Sequence, residues 1–199
     1  KEFMKKFYSV GLKYIKENTA LYLWHASKRR SMIDEVCDSL GILVHQQIIW
    51  VKPCAVLTYS FYSWRHEPCL LMWIKGQKPP YKPKDKSIGS VWMVGLLRTG
   101  DPTKPEYYND VWELDWEGKK RNSGLQHPTV KPTEVFAIPM RVHTSPGEGC
   151  YEPFCGSGSQ IIAAERLNRR CFAMEIEPVF CDVAVRRWEE FTGRKAQRE

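Results

Sequence analysis

Two glycines, Gly156 and Gly158, stand between acids at Glu152 and Glu175 with the spacing of a ligand-binding turn. The stretch Cys150-Tyr-Glu-Pro-Phe-Cys-Gly-Ser-Gly-Ser159 is followed by an amphipathic segment and then Arg170-Cys-Phe-Ala-Met-Glu175. This order predicts a strand, a tight glycine turn, a helix and a second strand ending in a carboxylate. Such a unit binds a nucleoside: the glycines let the backbone pass close under a ligand, and the acid reaches ribose hydroxyls. A dinucleotide fingerprint places a third glycine beside the pyrophosphate, and this chain has Ile161 there. A nucleoside without phosphates therefore fits better, and S-adenosylmethionine is the first candidate. Taken alone, the glycine turn is also compatible with plain packing.

The elements that must position this turn alternate between helix and strand. Phe3, Phe7, Val10 and Tyr14 predict a helix over 3–15, and Ala20-Leu-Tyr-Leu-Trp24 a buried strand. Ser31 is the expected N-cap of a second helix with Ile33, Val36, Cys37 and Leu40 on one face and Gly41 at its end. Strands are expected over Val44–Val51, stopping at Pro53, and over Cys69–Ile74, joined by a Tyr59–His66 loop. From 133 a helix to about Val142, the strand ending in Phe154, a helix from Ser159 to Asn168 and the strand Cys171–Met174 follow. The last helix starts at Pro178, ends at Gly193, and places Phe180, Val183, Ala184, Trp188 and Phe191 on one face. This alternation means an α/β fold with a mostly parallel sheet.

The 199 residues suffice for one domain, or one domain with a sizeable insertion. No apolar run approaches the roughly 20 residues of a membrane helix, so a soluble protein with no membrane partner is expected. Seven scattered cysteines without metal or redox spacing read as buried thiols in a reducing cytosol. The net charge of +7 and eight tryptophans suit a nucleic-acid partner. Between 77 and 126 prolines, lysines and aromatics mix without periodicity, as in an inserted recognition segment. Its Lys78, Lys82, Lys84 and Lys86 are candidates for phosphate contacts, with Tyr81, Trp92, Tyr107, Trp112 and Trp116 available to stack or wedge. A solvated loop with its own aromatic core is the alternative, since Asp101, Glu106, Asp110, Glu113, Asp115 and Glu117 dilute the charge.

Several stretches together resemble the amino-methyltransferases of DNA bases, in the group whose catalytic half precedes the cofactor half. They are Ala20–His25, Ile48–Pro53, His66–Gly76, His127-Pro-Thr-Val-Lys-Pro132, Glu152–Ser159 and Arg186–Gly193. The resemblance implies a Rossmann-like, S-adenosylmethionine-dependent sheet, mostly parallel with one antiparallel strand. It further implies methyl transfer to an exocyclic amino nitrogen in double-stranded DNA, with adenine favoured over cytosine by family frequency. The expected organisation is a catalytic half over 1–76, a target-recognition insertion over 77–126 and a cofactor half over 127–199. A bacterial or phage-encoded cytoplasmic enzyme is implied, with a homodimer and a cognate restriction enzyme as further expected partners. A catalytically inactive cofactor- or DNA-binding relative and an RNA methyltransferase on the same fold are the alternatives.

The residues themselves agree: Phe154 at the strand end is expected to cover the methionine part of the cofactor, the Gly156–Ser159 backbone amides at a helix start to favour its carboxylate and Glu175 to take both ribose hydroxyls. The expected cofactor residues are therefore Glu152, Phe154, Gly156, Ser157, Gly158, Ser159 and Glu175. Within that family Thr129 and Lys131 become candidates for its carboxylate. Read without the family, the 127–132 segment is a rigid turn opening a helix. His66-Glu67 has the composition of an acid–base pair, and we assign it a structural role. No metal site is expected. The family's acceptor-Pro-Pro-aromatic motif, which holds the amino hydrogens of a flipped base, is not among these residues. Lys78-Pro-Pro-Tyr81 has a cation where an acceptor is needed. The true motif and the central strand are expected upstream of Lys1, leaving the catalytic residues unknown and the sheet incomplete at its N-terminus. Residues 1–199 alone would then be inactive.

Overall fold

The computed structural model describes residues 1–56, 61–83, 111–113 and 131–198. They fall into two compact units, Lys1–Leu114 and Asp115–Glu199.

The first unit comprises α1 (Glu2–Gly11), β1 (Leu21–Trp24), α2 (Arg30–Ser39), β2 (Ile42–Val56), β3 (Trp64–Ile74) and β4 (Val111–Glu113). The strands form one sheet in the order β1-β3-β2-β4. β3 is antiparallel to both neighbours, and β2 and β4 are parallel. A close return of the chain after β2 allows only an antiparallel partner, which makes β3 the strand running against the rest. Leu70 and Met72 of β3 are fully buried with Ile42, Ile33, Cys37 and Tyr8.

Four sequence expectations change here. The helix over 3–15 stops at Gly11, and Tyr14 and Phe3 are 85% and 72% exposed. The face that packs is Met4, Phe7, Tyr8 and Leu12, a tighter i, i+4, i+8 stripe than the predicted one. α2 begins before Ser31, because Ser27–Arg29 enters it as a 3₁₀ turn and Arg30 Nε donates to both Asp34 oxygens at 2.9 Å. Gly41 does end the helix, at φ +68°. β2 continues past Pro53 and β3 starts at Trp64, so the connection is shorter than 59–66. A register shift between Val51 and Val56 interrupts the ladder where the proline lacks its N–H.

The second unit comprises α3 (Glu134–His143), β5 (Gly149–Glu152), α4 (Ser159–Arg166), β6 (Arg170–Ala173) and α5 (Pro178–Thr192). β5 and β6 are parallel, with Cys150 opposite Cys171 and Glu152 opposite Ala173, so β5-α4-β6 is a crossover unit. Ala137, Met140, Ala163 and Ala164 pack with Cys150 and Cys171 against one side of the pair. Asn168 leaves α4 at φ +57° and Gly193 ends α5 at φ +70°. The face expected on α5 is only partly covered: Ala184 is buried and Phe191 exposed.

The α/β organisation is present, but a single mostly parallel sheet is not formed among the described residues. There are two sheets, a mixed one of four strands and a parallel pair.

Candidate functional site

β5 delivers the chain at Glu152 into the turn 153–158, and α4 leaves from it. The backbone of the turn is tied to the end of β6: Met174 N–H donates to the Glu152 carbonyl at 2.8 Å, and Cys155 N–H to the Met174 carbonyl at 2.9 Å. Gly156 and Gly158 have φ +52° and +78°, a region L side chains rarely adopt. A Cβ at Gly158 would lie 2.8 Å from the Ala184 Cβ and 3.1 Å from its Cα. Two requirements therefore coincide on one glycine, conformation and close approach.

Glu175 stands just beyond β6, and its carboxylate is held by three backbone donors. Gly156 N–H reaches Oε2 at 2.7 Å, and Ile176 and Glu177 N–H reach Oε1 at 2.9 and 3.0 Å. The glycine turn and the acid are thus one construction, although 19 residues separate the bonded pair. Glu152 accepts the Phe154 N–H at 2.9 Å. Burial and then the neighbouring Glu175 charge hold Glu152 above the usual carboxylate range, against the opposing pull of the Phe154 N–H and Lys131. Two carboxylates at one turn make a site that a ligand carrying positive charge and hydroxyl donors would complete.

Ser157 and Ser159 are each 4% exposed. The Ser159 hydroxyl donates to the Lys131 carbonyl at 2.8 Å, bringing the 131–132 segment onto the turn. Phe154 is 61% exposed at the turn. Lys131, Glu152, Phe154, Gly156, Ser157, Gly158, Ser159 and Glu175 are accordingly brought together. Thr129, Lys84 and Lys86 lie outside the described residues, while Lys78 and Lys82 are exposed in the chain after β3. Glu67 pairs with Lys52 at 2.8 Å within the sheet and the His66 ring lies against Trp64, so this pair sits inside a strand.

The cysteines differ from expectation. Among the described residues Cys37 and Cys69 are buried, but Cys150, Cys155, Cys171 and Cys181 are only half-buried, around the turn and the parallel pair. Burial and the two acids push the Cys155 thiol up to about 11. No group of three or more metal-ligating side chains occurs among the described residues. Two features carried no site role in the sequence reading. The His25 Nε2 at the end of β1 is buried with no hydrogen-bond partner among the described residues. Ala184 and Arg187, one helical turn apart on α5, meet the glycine turn; the only signal for them was their common face in a helix opened by Pro178.

The raised Glu152 yields a signed expectation. Its neutral form is favoured by the fold, so stability increases as pH falls through its raised folded value and the gain is complete below the unfolded one. Glu152→Gln, which removes the charge that burial disfavours, is expected to raise the melting temperature at pH 7. It should also flatten the gain on mild acidification. A lower midpoint at pH 7 in a thermal melt would contradict this account.

A family model described as DNA methylase matches residues 2–186. The type II methyltransferase M.BglII of Bacillus subtilis is 26% identical over 157 residues, covering 75% of this chain and 43% of that protein. M2.DpnII of Streptococcus pneumoniae is 22% identical over 188 residues, covering 94% of this chain and 67% of that protein. The chain thus spans about half to two thirds of the length of these relatives. Among solved structures, an M1.HpyAVI–SAM complex matches with a TM-score of 0.72 at 20% identity, over 94% of this chain and 83% of that one. The cytosine-N4-specific PvuII DNA methyltransferase matches with a TM-score of 0.72 at 14% identity, over 96% and 74%. The fold is shared with both.

Proposed function

From the premise that this chain belongs to the N6/N4 DNA methylase family, we propose that its protein transfers a methyl group from S-adenosylmethionine to an exocyclic amino nitrogen in double-stranded DNA, with adenine as the acceptor base. The observation that carries this reading is the joint construction of the glycine turn and Glu175, with Gly156 N–H on the carboxylate at 2.7 Å. Glu175 receives the ribose hydroxyls, and the negative charge of Glu152 beside it favours a cationic ligand. Phe154 covers the methionine part, and Lys131, with Thr129, takes the carboxylate beside the turn of Gly156, Ser157, Gly158 and Ser159. The bound cofactor supplies an electrophilic methyl group on a sulfonium. The chain's own contribution is to hold that ligand in one orientation, because an orienting site lowers the barrier of a displacement by fixing its geometry. Acceptors for the amino hydrogens are not among the residues of this site.

Residues 1–76 form the catalytic half, 77–126 the target-recognition insertion and 127–199 the cofactor half in this proposal. Lys78, Lys82, Lys84 and Lys86 contact phosphates. The names of M.BglII and M2.DpnII as type II methyltransferases support a cognate restriction enzyme as partner and a bacterial cytoplasmic setting; a homodimer is the proposed assembly. No helix of the described residues is long and apolar enough to cross a membrane.

The test uses the full protein, S-adenosylmethionine labelled in the methyl group, and duplex DNA or RNA in parallel, each digested afterwards to nucleosides. Label in N6-methyl-2′-deoxyadenosine is expected. Label in N4-methyl-2′-deoxycytidine would correct the base, label on RNA alone would overturn the substrate, and cofactor binding without transfer would leave an inactive relative.

A further inference from the structure

Arg187 belongs to the Arg186–Gly193 stretch, to which the proposed function assigns no role. It is half-buried on α5, and its Nη1 donates to the Ser157 carbonyl at 2.6 Å, the Ser157 hydroxyl at 3.1 Å and the Ser159 hydroxyl at 3.2 Å. One nitrogen thereby grips both serines flanking Gly158. Ala184, three residues earlier on the same helix face, presses on Gly158 itself. The Ser159 hydroxyl passes the connection on to the Lys131 carbonyl. α5 is anchored in turn: Trp188 Nε1 donates to Glu165 of α4 at 3.1 Å, and Arg194 pairs with the same carboxylate while lying 4.7 Å over the Trp188 ring. Three segments distant in sequence are joined through one guanidinium.

This side chain is unlike a surface arginine. A guanidinium that donates to a carbonyl and two buried hydroxyls spends its donors on shape, since charge-assisted bonds to fixed acceptors are the stronger and more directional kind. The bonds end on the turn and on Lys131, the residues proposed for the amino-acid end of the cofactor. The Glu175 brace, which serves the ribose, is built from other donors: Gly156, Ile176 and Glu177.

We propose that Arg187 is a positioning residue that sets the turn 157–159 and Lys131 for the amino-acid end of the cofactor, leaving the adenosine end to Glu175. The inference rests on the cofactor reading above and assigns Arg187 no contact with the ligand. Its test compares two ligands by calorimetry on the full chain. S-adenosylhomocysteine carries the aminocarboxypropyl group, and 5′-methylthioadenosine has a methyl in its place with the same adenosine and thioether. Arg187→Met is expected to weaken S-adenosylhomocysteine about tenfold or more, as for loss of a charge-assisted brace. It should leave 5′-methylthioadenosine within about twofold, and Arg187→Lys, which keeps the charge without the fork, should fall between. A general loss of structure lowers both ligands equally, and that result, or no change in either, overturns the proposal. Should Arg187→Met fail to fold, Ser159→Ala removes one acceptor and the link to Lys131, and must give the same split in smaller measure. A wild-type chain that binds neither ligand overturns the cofactor reading and this inference together, an outcome distinct from loss of the split alone.

Discussion

Gly158→Ala is expected to cost about 2–5 kcal/mol of stability and to abolish cofactor binding. The first contribution is conformational: φ is +78°, and an L residue there pays about 1–2 kcal/mol in the left-handed region. The second is steric. The new Cβ would sit 2.8 Å from the Ala184 Cβ and 3.1 Å from its Cα, and the latter is backbone in the middle of α5, which cannot step aside as a side-chain end can. Relief requires α5 to move off the turn, and that movement draws Arg187 away from Ser157 and Ser159. Chemical denaturation and S-adenosylmethionine calorimetry check both halves. Ala184→Gly in the same chain removes only the 2.8 Å partner, so it is expected to restore part of the loss while costing about 1 kcal/mol itself as a helix glycine. Strictly additive effects of the two substitutions would refute the contact as the cause.

Glu175→Ala is expected to weaken S-adenosylmethionine about 100-fold or more, by analogy with the cost of losing charge-assisted hydrogen bonds. Two losses combine. The ribose hydroxyls lose their acceptor, and the N–H groups of Gly156, Ile176 and Glu177 lose theirs, leaving the turn held to the end of β6 by its backbone bonds alone. Glu175→Gln keeps the shape but turns a donor toward one of these N–H groups, so it is expected to behave nearer to alanine than to glutamate. The ribose role is separable from the brace: an S-adenosylmethionine analogue lacking the 2′- and 3′-hydroxyls should bind the wild type weakly and lose in Glu175→Ala only the share due to the brace, a smaller factor than the intact cofactor loses. Undiminished affinity of the variant for the intact cofactor would remove Glu175 from the ribose.

The three substitutions at 152, 158 and 175 test different physics on one turn. Glu152→Gln is the one expected to stabilise, because it neutralises a carboxylate that burial and Glu175 already hold above its usual range. Gly158 acts through space and backbone angle, and Glu175 through hydrogen bonds. A shared loss of ligand with opposite effects on stability would be difficult to obtain from any one general disturbance of the fold.

Chain order was enough to locate the glycine turn, the acid that follows it and the alternation of helices and strands, because these depend on neighbours within one crossover unit. A strand needs a run of apolar residues, the turn needs glycine where φ is positive, and the acid needs only to stand at the end of the next strand. The limits of α1 and of the β2–β3 connection were less legible: two apolar stripes were available on α1, and which one packs depends on where Leu70 and Met72 of β3 present their side chains. Pairing explains the sheet as well. Hydrophobic runs announce strands, whereas partner and direction are set by backbone hydrogen bonds to segments far along the chain, and these give a mixed sheet and a parallel pair. The same holds at the site. That Gly158 faces Ala184, that Arg187 grips Ser157 and Ser159, that Lys131 joins the turn and that burial, with Glu175 beside it, raises Glu152 are all consequences of packing between elements. No periodicity records them, since periodicity says which face of an element avoids water and not which neighbour will cover it.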